Sequence, residues 1–203
     1  MASCDSESGE CSTIAADDGQ SCDDGDACTG GDRCSAGACV GTSGVLFGDD
    51  IDARAIPDGT SDCSGDEPLV VDFDLQPGGT IVSVEVMVEV EHQSLSDLSA
   101  RIVHVPSGRQ AILFDTEATL GTRLSGQYVF AADGAELTES ALPNSDLAPS
   151  RYVSQDDLAS VFGGGDMAGA WRLYITDRCQ GSVGEYTRSR LVVFRDCSPS
   201  DGQ

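Results

Sequence analysis

Both histidines of this 203-residue chain stand in one stretch, "VEVEHQSLSDLSARIVHVPSG" at 88 to 108, where Ser94, Ser96 and Asp97 follow His92 closely. Imidazole exchanges protons near neutral pH and a carboxylate can orient it, so this spacing raises acid–base or nucleophilic catalysis. Such catalysis also needs a nucleophile at a strained turn or helix start, with an oxyanion hole beside it. The run "GTSG" at 41 to 44 offers Ser43, but no helical pattern follows, and it reads as linker. An H-E-x-x-H zinc motif occurs nowhere. The sequence assigns no catalytic residue, and the chain is expected not to be an enzyme in its own right.

His92 instead closes a strand. Val82, Val84, Val86, Val88 and Val90 alternate with Ser83, Glu85, Met87, Glu89 and Glu91, the period of two that marks a half-buried antiparallel strand. At its end the imidazole is placed to satisfy backbone groups of the following turn, and Asp97 to accept amide hydrogen bonds there. His104 stands at another strand end with no visible chemical partner, and Trp171 alternates with Leu173 and Ile175 as a core residue. Further strands are expected in "LVVDFDL", "SARIVHV", "QAILFD", "QYVFAA", "AWRLYIT" and "SRLVVFR". One helix is expected in "SQDDLASVF", capped by Ser154, with Asp156 and Asp157 favouring its positive end. Many short strands without alternating helices predict an all-β chain folded as a jelly-roll-like β-sandwich. The stretch between Phe114 and Asp156, with one strand and much Gly, Pro and Ser, reads as a long surface loop.

Charge narrows the partners. Against 35 acidic residues stand 11 basic ones, all arginine, for a formal charge of −24. Phosphate backbones and anionic membranes are repelled, so nucleic acid is excluded as a partner, while cations are favoured. No apolar run approaches the roughly 18 residues of a membrane span, and no charged-then-apolar signal opens the chain, so secretion implies a signal already removed. Nine cysteines, six of them within the first 39 residues, argue for an oxidising compartment and a secreted or cell-surface protein.

Residues 1–40 contain almost no large apolar side chains, so disulfides must supply the order that hydrophobic burial cannot. Their cysteines are Cys4, Cys11, Cys22, Cys28, Cys34 and Cys39, and "CDSESGEC" and "CSAGAC" look like two copies of one closing element. With no histidine and no C-x2-C knuckle, the region does not suit zinc. Asp23, Asp24, Asp26 and Asp32 lack the glycine and terminal glutamate of an EF-hand and read as an acidic turn. The run "DDGDACTGGDRCSAGACVG" resembles the Asp- and Cys-rich tandem repeats of secreted bacterial surface proteins. A linker and first-strand region over 41–54, a main domain over 55–197 and a tail over 198–203 follow.

The main domain carries a second resemblance. "AIPDGT" at 55 to 60, the stretch from 88 to 108, "VFGGGDMAGAWRLYITD" at 161 to 177 and "GSVGEYTRSRLVVF" at 181 to 194 occur in that order. In this order and spacing they resemble the P domain, or Homo B domain, of the proprotein convertases and many secreted bacterial proteases. The landmarks are His92, Asp97, Trp171 and Asp177, with Ile56-Pro57-Asp58, Pro106-x-Gly108 and Gly184. Ser96 departs from the glycine many members carry before the Asp-Leu pair and is strained if that position needs a positive φ. The resemblance implies a β-sandwich accessory module, non-catalytic, attached to an upstream domain or secreted protease whose folding, stability or targeting it supports. A freestanding calcium-dependent adhesion or carbohydrate-binding module, meeting a surface glycan or protein, is the alternative. Asp58, Asp97 and Asp177 at landmark strand ends, with Asp133 in a glycine-containing turn, are the candidate calcium ligands. In such a sandwich Cys63, before the first strand, lies near Cys197, after the last; a bond from Cys63 to Cys179 is the rival pairing.

Overall fold

In the computed structural model the described residues are 2–4, 11–13, 17–22, 24–25, 29–76, 78–115, 123–137 and 146–196. Cys28, Cys197, Asp23, Asp26 and the 198–203 tail lie outside them, as do the side chains of Cys4 and Cys11. The chain forms two compact units, Met1–Leu46 and Phe47–Gln203.

The first unit is built from hairpins. β1 (Ala2–Cys4) pairs with β2 (Cys11–Thr13), and β3 (Thr29–Ser35) with β4 (Ala38–Ser43). In each hairpin two cysteines stand opposite one another, Cys4 against Cys11 and Cys34 against Cys39. In both copies of the element the flanking cysteines are thus cross-strand partners. Cys39 is bonded to Cys22, 17 residues away, and Cys34 is a free thiol, which corrects its expected place in a disulfide. Residues 41–43 belong to β4, so Ser43 sits in a strand rather than a linker.

The larger unit is a two-sheet sandwich, as its sequence periodicity predicts. One sheet has the order β10 (Arg109–Asp115), β9 (Leu98–His104), β13 (Gly169–Asp177), β7 (Leu69–Leu75). The other runs β12 (Arg151–Tyr152), β11 (Leu124–Ala135), β8 (Thr80–His92), β14 (Gly184–Asp196), β5 (Val45–Asp50), with β6 (Arg54–Ala55) paired to β14. Alternation buries one face of each strand: Val71, Phe73 and Leu75 in β7, Val84 to Val90 at alternate positions in β8, Trp171, Leu173 and Ile175 in β13. Full burial of such side chains contributes roughly 1.5–3 kcal/mol each. Val88 and Val90 from one sheet and Leu98, Ala100 and Ile175 from the other line the same interior.

The valine alternation breaks at one place. Across β14, Phe194 opposes Ser83 and Arg195 opposes Ile81, so Val82 is the extra residue of a bulge. Ile81 turns inward in its stead, and Val82 is 55% exposed. The helix α1 (Leu158–Phe162) is shorter than the sequence implies and is capped by Asp157, whose carboxylate accepts from the Ala159 amide. Ser154 is buried and donates to the Asp156 carbonyl, and the Asp156 carboxylate takes the Ile112 amide of β10. Asp156 thus fastens the chain to β10 before the helix starts, and Ser154 braces the local turn. Nor is the 114–156 stretch only a surface loop: β11 has 12 residues, and Tyr128, Phe130, Leu147 and Tyr152 are core.

Candidate functional site

The imidazole of His92 continues the inward face of β8, because residue 92 keeps the even-numbered register of Val84 to Val90. Asp177 ends β13 in the opposite sheet. His92 Nε2 lies 3.1 Å from Asp177 Oδ2, with the two side chains 0% and 1% exposed. The ring's Nδ1 lies 2.8 Å from the Ser94 carbonyl and 3.1 Å from the Ser94 amide, so it finds a partner as donor or as acceptor. With Nδ1 taking the amide proton, Nε2–H donates to the Asp177 carboxylate. The other Asp177 oxygen accepts from the Cys179 amide at 3.1 Å. Burial pushes the Asp177 carboxyl above its ordinary value, opposed by its hydrogen bond and charge interaction with His92.

Beside this pair two segments, 58–65 and 95–97, clasp the turn that follows Asp177. The amide of Arg178 donates to the Asp97 carbonyl, while the Arg178 carbonyl accepts from the amides of Thr60 and Gly65. Cys179 is bonded to Cys63, a link across 116 residues. This bond replaces the favoured partner Cys197 with the rival Cys179: the loop after Ile56 folds back against the β13 turn, bringing Thr60 into a bridge with Cys179. Asp58 accepts from the Gly181 amide at 3.0 Å. Gly184 stands opposite His92 in the β8–β14 ladder, and a Cβ there would lie 2.2 Å from His92 Cδ2. Only glycine leaves space for the ring.

Asp97 closes a 3-10 turn over Leu95–Asp97, where its carboxylate accepts from the Ser96 hydroxyl at 3.2 Å. Ser96 needs no left-handed backbone, since among the described non-glycine residues only Ala36 and Cys63 have positive φ.

The four aspartates do not form one oxygen cage. Asp177 spends its oxygens on His92 and Cys179, and Asp58 caps the 181 turn. Asp133 pairs with Arg151, which also holds Glu85 on the outer face of the six-stranded sheet, well away from the other three. Among the described residues no three His, Cys, Asp or Glu side chains gather to hold a metal ion. A calcium ion wants six to eight oxygens, and this donor set does not fit it.

Trp171 is fully buried, donates its indole N–H to the Met167 carbonyl and lies between His104 and Phe162. His104 is not without partners: Nδ1 meets the Ser107 hydroxyl at 2.8 Å and Nε2 the Ala168 carbonyl at 3.1 Å. The Ser107 contact had a local signal, a serine three residues on in a Pro-x-Gly turn. The Asp177 contact, 85 residues from His92, had none beyond the shared resemblance.

No protein-family model matches the chain, and no curated protein matches it. Among solved structures it is similar to the serine protease of Aeromonas sobria, at 17% identity and a TM-score of 0.43 over 77% of this chain and 28% of that one. It is similar also to the complex of Aeromonas sobria serine protease and chaperone, at 20% identity and a TM-score of 0.42 over 75% of this chain and 27% of that one. The chain spans little more than a quarter of the length of either, 27% and 28%.

Proposed function

We propose that the sandwich is a non-catalytic accessory module of the P or Homo B type in a secreted protein, where it stabilises or targets a larger parent bearing a subtilisin-like or other secreted protease. One observation carries the reading. The residues through which the sequence resembles that family, His92, Asp97, Asp177 and Gly184, are spread over 93 positions yet converge at one end of the sandwich. There they form a buried pair, a backbone clasp and the glycine that makes room for the ring. The whole arrangement is turned inward: it binds the two sheets to each other and offers no exposed nucleophile or open donor set. That is the chemistry of a scaffold. The Cys22–Cys39 and Cys63–Cys179 bonds fit an oxidising, extracellular setting.

The test is the reading frame from which the chain derives. A protease domain in that frame, together with lower thermal stability of the parent when this region is deleted, supports the proposal. A frame with no protease domain, or turnover of casein by the purified chain, overturns it; glycan-array binding in the absence of a protease domain assigns adhesion instead.

A further inference from the structure

The last inward position of β14 holds a cation where its neighbours are core. Leu191, Val193 and Arg195 alternate along the strand; the first two are fully buried and Arg195 is 7% exposed. Pairing sets Arg195 opposite Ile81, while Gly184 at the start of the same strand stands opposite His92. The arginine therefore lies at the other end of the sandwich from the His92–Asp177 pair. A guanidinium stays charged at any physiological pH, and a buried charge is costly unless its donors are met.

Only part of this guanidinium is met. Nη1 donates to the Gly78 carbonyl at 2.8 Å. Nε and Nη2 are buried and have no hydrogen-bond partner among the described residues. The carboxylate that serves the same turn is committed to backbone, since Asp166 Oδ1 accepts from the amides of Gly79 and Ala168 at 3.2 and 3.0 Å. Glycine lets the turn pass close over the arginine: a Cβ on Gly79 would lie 2.8 Å from Arg195 Cδ.

Which donors remain selects the ligand. Nε–H and the neighbouring Nη2–H are parallel and form the edge of the guanidinium that takes both oxygens of a carboxylate. Because both nitrogens lie beneath the surface, the ligand must be small. We propose that Arg195 binds a small carboxylate anion, of the size of formate or acetate, through two parallel hydrogen bonds. The anion neutralises the buried charge and so stabilises this end of the sandwich. This site stands independently of the accessory-module reading.

The probe is sodium formate, exchanged for sodium chloride in the full chain at a constant ionic strength of about 0.15 M. Thermal unfolding and saturation transfer to the formate proton are followed together. A saturable rise in melting temperature with formate is expected, because a ligand held by the folded chain alone stabilises it by mass action. Arg195→Met should show neither the rise nor the transfer. Arg195→Lys keeps the charge without the fork and should bind formate about tenfold or more weakly; it gives the readout if the methionine variant fails to fold. Arg190→Met, which removes an exposed arginine of the same strand, should respond like the parent chain. The proposal is overturned by equal melting in formate and chloride without transfer, or by an undiminished response in Arg195→Met and Arg195→Lys. It is overturned too if N-acetylglutamate amide binds as tightly as formate, which would assign the edge to an acidic side chain of a partner instead of a free anion.

Discussion

His92 and Asp177 meet 3.1 Å apart with their side chains 0% and 1% exposed, joining the end of β8 in one sheet to the end of β13 in the other. Removing one member strands the other in the core. His92→Ala is expected to cost about 3–5 kcal/mol of unfolding free energy, because an unpaired buried carboxylate remains. Asp177→Asn, which keeps an acceptor for Nε2–H, is expected to cost about 1–2 kcal/mol. Urea unfolding of both single variants and the double variant gives the coupling energy; additive costs would show that the pair does not act as one unit.

Asp177 and Asp166 respond to acid with opposite sign. Burial raises the Asp177 carboxyl, so the folded chain holds that proton more tightly than the unfolded one. Its contribution to stability therefore grows as pH falls through the raised folded value, with His92, Asp97 and Arg178 the charged or titratable groups nearby. Asp166 is held below 3.8 by the amides of Ala168 and Gly79. Its contribution is fully present above 3.8 and is lost as pH falls through the depressed folded value. Asp166→Asn should thus be less stable than the parent at pH 7 and converge with it in acid. Asp177→Asn should lose ground against the parent as pH falls. Denaturation series across pH for both variants check the two signs.

Chelation should leave the fold untouched. Asp58, Asp133 and Asp177 are engaged with Gly181, Arg151 and His92, and no three ligands gather among the described residues. The melting temperature is expected to be the same with EGTA and with millimolar calcium. A shift of several degrees between the two would place a calcium site in the chain.

The Cys63–Cys179 bond closes the longest loop seen among the described cysteines, 116 residues against 17 for Cys22–Cys39. Cys63→Ala/Cys179→Ala is expected to lose about 2–5 kcal/mol, most of it through a less constrained unfolded chain. Peptide mapping without reduction should recover the peptides around Cys63 and Cys179 as one linked species. Recovery of Cys63 with any other cysteine would refute the pairing.

What the chain reveals on its own is local. The valines of β8 and the alternation of β7, β9 and β13 are legible because side-chain direction along a strand repeats every two residues, a property of the backbone. The two copies of the cysteine element in the first unit show in the same way, as a repeated short spacing. What needed the tertiary structure are relationships between distant segments. Val82 leaves the core because its partner strand slips by one residue, not because of anything beside it in sequence. Asp157 caps α1 because Ser154 and Asp156 are drawn off to neighbouring backbone, Asp156 by β10. Asp133 faces Arg151, and Cys63 finds Cys179, because loops fold onto particular neighbours. The histidine with which the sequence invites a catalytic reading belongs to this second kind. Its neighbours in sequence, Ser96 and Asp97, hydrogen-bond to each other, and its carboxylate comes from 85 residues away. Periodicity fixes which way a side chain points, but only the packing of two sheets decides what it meets there.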